Sequence, residues 1–180
     1  MKVIAIQSSS NTDGLTSTLA QAVLKGAESE GGKTELVHLN KLNIKQCIAC
    51  ETGWGRCRQE GICILVDDFE NLRQKIAESD ALIFATPVYF GDLSESARTF
   101  LDRLRRTEAF SKRNSFNEKK AIGIASAGGS GQGAVRALSN LETYLRRLGF
   151  DILDLVPVTR FTKDNILPML ETAGKHLAKM

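Results

Sequence analysis

Long apolar runs are missing from this 180-residue chain. No stretch reaches the ~18 residues that a membrane-spanning helix needs, so a membrane span is excluded. A large net charge is missing too: 24 Lys and Arg against 21 Asp and Glu leave +3. That is too little to indicate nucleic acid, and its sign speaks against a strongly acidic electron shuttle that docks to basic partners. A leader is not evident, because Met1 and Lys2 run straight into an apolar stretch. The four cysteines therefore point to a reducing, cytoplasmic setting, as thiols or as ligands of a metal or cluster rather than as disulfides. Repeats and linkers are absent as well, and the length is that of one domain over 1–180.

Two familiar phosphate motifs are also absent. After Val3, Ile4, Ala5 and Ile6, which read as a strand buried on both faces, comes S-S-S-N-T-D-G-L-T from Ser8 to Thr16. It contains no G-x-G-x-x-G, which weakens a dinucleotide site, and no G-x-x-x-x-G-K-[ST], which excludes a P-loop. What is present is a hydroxyl-rich loop feeding a helix with Leu15, Leu19, Ala22, Val23 and Ala27 at helical spacing. Hydroxyls, free N–H groups and a helix N-terminus suit the phosphate of a flavin mononucleotide, FMN. The other reading is a plain turn whose serines cap the helix.

The remaining pattern alternates. Gly31 and Gly32 close the first helix, and Thr34 to Leu39 reads as a second strand. His38, at its end, is either a surface residue or a ligand or base. A segment at about 40–67 shows no period and holds all four cysteines, as C-x2-C-x6-C-x5-C, together with Trp54. Asp67 and Asp68 open a helix with Phe69, Leu72, Ile76 and Ala77 inward. Ala81 to Ala85 is a third strand, stopped by Pro87. Ser94 caps a helix carrying Ala97, Phe100, Leu101 and Leu104, which ends in Arg103, Arg105 and Arg106. The polar, basic stretch Thr107 to Lys120 that follows reads as an exposed excursion whose charges form a solvated face or, in the minority reading, bind an anion or the NADPH phosphate. Ala121 to Ala125 is the fourth strand, Ala134 to Leu148 a helix with Leu138, Leu141, Leu145 and Leu148 inward, and Phe150 to Val158 the last strand. A closing helix runs from Ile166 to Lys179, starting near Pro168. Five β–α units predict an α/β fold: a doubly wound, five-stranded parallel sheet of order 2-1-3-4-5 between two helix layers. The loops Ser8 to Thr16, Pro87 to Ser94 and Ala127 to Gly133 then converge at the strands' carboxyl ends, where such sheets bind ligands.

These loops, with C-I-A-C at Cys47, V-D-D-F at Val66, T-P-V-Y-F-G-D-L-S at Thr86 and S-A-G-G-S-G-Q-G at Ser126, resemble the NADPH-dependent FMN reductase and iron–sulfur flavoprotein group of flavodoxin-like proteins. The resemblance spans nearly the whole chain. It implies a flavodoxin fold, bound FMN, a homodimer or homotetramer, and NAD(P)H as co-substrate. By position, Ser8, Ser10 and Thr16 would bind the FMN phosphate, helped by backbone N–H groups of Asn11, Thr12, Gly14 and Leu15. Many relatives have Arg where this chain has Ser10, and losing that charge makes phosphate binding weaker or more dependent on the helix end. Pro87, Val88, Tyr89, Phe90 and Gly91 would line the ribityl chain and ring, and Ala127, Gly128, Gly129 and Ser130 would approach the flavin edge.

The cysteines depart from the iron–sulfur members, whose compact spacing asks for a third Cys where this chain has Gly53. Cys47, Cys50, Cys57 and Cys63 could hold a [4Fe–4S] cluster, hold a zinc ion, or remain free thiols. Trp54 covers a neighbouring subunit's flavin or packs the loop. The expected function is electron transfer from a reduced nicotinamide through FMN to a quinone, flavin or other small acceptor; the flavin carries the chemistry, so no acid–base residue is assigned. The alternatives are an iron–sulfur flavoprotein relaying electrons between protein partners, and a flavin-free binding module.

Overall fold

The computed structural model describes residues 1–110 and 115–180. Five strands, β1 (Lys2–Gln7), β2 (Lys33–His38), β3 (Ala81–Pro87), β4 (Lys120–Ala127) and β5 (Asp151–Thr159), form one parallel sheet in the order β2-β1-β3-β4-β5. Side chains alternate across a strand, and here both faces are covered. Ile4, Ile6, Leu82 and Phe84 pack under α3 (Phe69–Ala77), α4 (Glu95–Glu108) and α5 (Ala134–Leu148). Val3, Ala5, Ile83 and Ile124 pack under α1 (Leu15–Ser29) and α6 (Lys163–Ala178). A four-residue helix, α2 (Arg56–Gln59), lies inside the cysteine segment. This is the flavodoxin-like arrangement expected from the apolar runs, with the strand order reversing between β1 and β3.

Local signals set most boundaries. Ser94 caps α4, its hydroxyl accepting from the Ala97 N–H at 3.3 Å. Gly149 ends α5 in the left-handed region at φ 91°. β3 stops at Pro87, as expected. Two expectations need correction. α6 begins at Lys163, so Pro168 sits inside it. The stretch Thr107 to Lys120 is not simply an exposed excursion, because Thr107 is buried and Phe116 stacks on Phe150 with ring centroids 5.3 Å apart; its residues 111–114 lie outside the described residues. No helix among the described residues is long and apolar enough to cross a membrane.

Candidate functional site

The loops after β1, β3 and β4 meet at the carboxyl edge of the sheet. Two of them enclose a cleft of about 480 Å³, lined on one side by Val88, Phe90 and Gly91 and on the other by Ala127, Gly128, Gly129, Ser130, Gly131, Gln132 and Gly133, with Arg136 at its rim. The first wall is a two-residue hairpin. Tyr89 N–H donates to the Asp92 carbonyl (3.0 Å) and Asp92 N–H to that of Tyr89 (3.1 Å). Phe90 (φ 51°) and Gly91 (φ 78°) both sit in the left-handed region, as a type I′ turn demands. For Phe90 that conformation costs about 1–2 kcal/mol. Its ring is nonetheless held fully in solvent, with a relative exposure of 108%. The opposite wall is bare backbone: a Cβ placed on Gly128 or Gly129 would meet nothing within 4 Å. The walls touch at Gly133, where a Cβ would lie 2.5 Å from Gly91 Cα.

The first loop joins this cleft through hydroxyls. Thr16 Oγ1 and Ser126 Oγ are 2.8 Å apart. Ser8 is 0% exposed, its hydroxyl 2.9 Å from Ser94 Oγ and its carbonyl accepting from Ser96 and Asn40. The structure thus places Ser8 as a tie between the first two loops, turned away from solvent. Ser10 and Asn11 are exposed and Thr12 half-buried. Asn11 folds over Gly14, where a Cβ would come within 2.9 Å of its Nδ2. The capping-turn reading fails here, because α1 has no side-chain cap and no acid in its first turn. The N–H groups of Gly14, Leu15, Thr16 and Ser17 have no acceptor among the described residues. That leaves an open helix N-terminus beside the cleft. Pro87 and Tyr89 flank the cleft without lining it.

The four cysteines share one small apolar pocket of about 20 Å³, with Arg103, Arg106 and Thr107 in its wall. The backbone there is unusual. Ala49 (φ 46°), Glu51 (φ 58°) and Gly53 (φ 102°) have positive φ while the residues between them do not. Within this turn the Ala49 N–H donates to Cys47 Sγ at 3.5 Å, and the Gly53 N–H to the Cys50 carbonyl at 3.1 Å. Cys50 Sγ packs onto Gly55, where a Cβ would come within 2.8 Å of it. Among the described residues, no three His, Cys, Asp or Glu side chains are spaced to hold a single metal ion. Trp54 packs the loop: it meets Phe110 edge-on at 5.4 Å, and the Arg106 guanidinium lies 4.7 Å above its ring.

Comparison with known proteins fits this architecture. The family described as NADPH-dependent FMN reductase matches residues 1–159. The chain belongs to that family. An iron–sulfur flavoprotein of Methanocaldococcus jannaschii, MJ1083, is 34% identical over 130 residues, covering 72% of this chain and 65% of its own. One from Archaeoglobus fulgidus is 36% identical over 104 residues, covering 58% of this chain and 46% of its own. The chain thus spans less than two thirds of the length of these relatives. Among solved structures, an NAD(P)H:quinone oxidoreductase from Methanothermobacter marburgensis superposes with a TM-score of 0.74 at 22% identity, covering 98% of this chain and 96% of its own. That likeness concerns the fold.

In this member of the FMN reductase family, Arg136 is the cleft residue that sequence reading missed. A signal was available: Arg136 lies in the first turn of α5, where the helix dipole disfavours a cation. It stands near Asp92, which also pairs with Arg98 at 3.0 Å. Burial pushes the Asp92 carboxyl up. Hydrogen bonds from Asn140 and the Leu93 N–H, and the charges of Arg98 and Arg136, outweigh that and hold it below the ordinary aspartate value. Asp67 is lowered in the same way, burial being overcome by hydrogen bonds from Arg103 and from the N–H groups of Lys45 and Phe69. Groups lowered in the folded state stabilise it above their unfolded pKa of about 3.9. We therefore expect unfolding free energy to fall modestly as pH drops through the unfolded histidine value of about 6.5, because His38 is lowered in the fold, and more steeply below about pH 4. Urea midpoints between pH 7 and pH 3 check this; a rise on acidification would contradict it. His38 is no base in this site. Its Nδ1 is 2.7 Å from Gln7 Nε2, and burial, then Lys41, lowers its pKa.

Proposed function

We propose that this chain is an FMN-dependent oxidoreductase that takes electrons from NADPH or NADH and passes them to a small acceptor such as a quinone or a flavin. The observation that carries this is the pairing of an uncapped helix N-terminus after β1, where strand order reverses against β3, with the adjoining glycine-walled cleft between the loops after β3 and β4. Bound there, FMN would supply hydride acceptance from the nicotinamide and onward electron transfer. The protein's part is placement. The free N–H groups at Gly14 to Ser17, with the hydroxyls of Ser10 and Thr16, would hold the phosphate by hydrogen bonds and the helix dipole. Val88 and Phe90 would form the apolar wall, and Gly128 and Gly129 would let backbone N–H groups reach the ring edge. A homodimer or homotetramer, working in the cytoplasm away from membranes and nucleic acid, completes the proposal.

Titrating FMN into cofactor-stripped protein, then adding NADPH or NADH without oxygen and a quinone, tests it. Uptake of the flavin and its bleaching by either nicotinamide are the expected results; protein that takes up no FMN overturns the proposal. Phe90→Asn makes the test residue-specific. Asn-Gly is the preferred type I′ pair, so the variant should gain about 1 kcal/mol in stability. Losing the aromatic wall should weaken FMN binding about three- to tenfold. Unchanged affinity would remove Phe90 from the site.

A second reading is favoured by the cysteine pocket. Four cysteines lining one pocket, a backbone N–H on the Cys47 sulfur, and two arginines fit an anionic [4Fe–4S] cluster. Cys47, Cys50, Cys57 and Cys63 would hold it. The cluster would supply one-electron storage, making the chain a carrier between flavin and a protein partner.

A further inference from the structure

Arg103 is the largest fully buried side chain among the described residues, 1% exposed. Its guanidinium gathers both ends of the cysteine segment. Nη1 donates to the Lys45 carbonyl (2.9 Å) and to Asp67 (2.6 Å); Nη2 donates to Asp67 (3.0 Å) and to Cys63 Sγ (3.3 Å). The plane lies 4.2 Å from the Phe69 ring centroid. Yet its Nε–H, buried, has no partner. The Nε of Arg106 is likewise buried and makes no hydrogen bond, although Asp102 lies 3.4 Å away; its Nη1 donates to the Gly53 carbonyl at 2.7 Å. Both arginines line the cysteine pocket. A pocket meant only for packing would be lined by apolar groups, since unsatisfied buried donors are costly.

We propose that Arg103 and Arg106 are positioning residues for an iron–sulfur cluster, fixing the cysteine segment and favouring the cluster's reduced state. This rests on the second reading above. Asp67 offsets the charge of Arg103, so Arg103 acts chiefly through its N–H to the Cys63 sulfur. Arg106, only loosely met by Asp102, acts chiefly through its charge. Hydrogen bonds to cluster sulfurs and nearby cations both stabilise the more negative, reduced state and raise the reduction potential.

The test reconstitutes the full chain with ferrous iron and sulfide without oxygen, and compares it with Arg103→Lys and Arg106→Gln. Arg103→Lys keeps the charge beside Asp67 and loses the second arm; Arg106→Gln spares the buried pair and decides the matter if the first variant does not fold. Iron per chain, the cluster's midpoint potential and the FMN midpoint potential are measured. We expect about four irons in the parent chain. The variants should show a lower cluster potential, or iron loss from protein that still binds FMN, with the FMN potential unmoved. Variants loaded to the parent's level at the parent's potential would overturn the arginine role and leave the cluster reading standing. A parent chain that binds FMN but no iron would overturn the cluster reading and this inference together, leaving the oxidoreductase proposal intact.

Discussion

Asp67→Ala should unfold at a much lower urea concentration than the parent chain, with a loss of about 3–5 kcal/mol. The Asp67 carboxylate is 0% exposed and meets Arg103 through two hydrogen bonds of 2.6 and 3.0 Å. It also accepts from the N–H groups of Lys45 (2.8 Å) and Phe69 (3.1 Å). Removing it leaves a guanidinium buried without its counter-charge, and that uncompensated charge is the larger part of the loss. The double variant Asp67→Ala/Arg103→Met, which removes both charges, should recover part of the stability. Urea titrations of the two single variants and the double one measure the coupling. A loss below about 1 kcal/mol for Asp67→Ala, the range of exposed pairs, would show that water reaches this pair. The cysteine segment should loosen with the pair, since Arg103 is what joins Lys45, Cys63 and Asp67.

Gly133→Ala is the second variant with a large expected effect. Gly133 has φ 85°, and a Cβ there would lie 2.5 Å from Gly91 Cα and 3.2 Å from Val88 Cγ1. The left-handed conformation costs about 1–2 kcal/mol for Ala. The overlap with backbone, which cannot swing aside as a side chain can, adds about 1–3 kcal/mol. Relief of that overlap separates the two walls of the cleft. FMN affinity should therefore fall at least about tenfold, the equivalent of 1.4 kcal/mol. Gly31→Ala is the control: φ is 84° but a Cβ would meet nothing within 4 Å, so only the backbone cost applies and FMN affinity should not change. If Gly133→Ala lowers stability while binding FMN as the parent does, the cleft is not the flavin's place.

Much of the scaffold was legible because it is written in short-range pattern. The runs Val3 to Ile6, Ala81 to Ala85 and Ala121 to Ala125 could only be strands covered on both faces. The leucines of α5 repeat at helical spacing and end at a glycine, and the helix runs from Ala134 to Leu148 as read. Loops at the carboxyl ends of such strands converge by topology, which made the cleft's two walls foreseeable. The first loop was read less well. Ser8 resembles its hydroxyl neighbours in sequence, and only the approach of Ser94 and Ser96 turns it inward.

The sequence alone therefore determined the strand and helix runs and with them the fold class, because hydrophobic period and turn chemistry act over a few residues; the strand order and the meeting of the loops at the cleft followed from topology. Tertiary structure decided which charges are buried and which backbones touch. Arg103 looks like its neighbours Arg105 and Arg106 until Asp67, 36 positions away, comes to meet it. Gly26 and Gly174 look like weak points in two helices until α1 and α6 cross. A Cβ on either would then lie 1.9 or 2.0 Å from a carbonyl oxygen of the other helix. Those facts depend on contacts between residues far apart in the chain, and no local pattern encodes them.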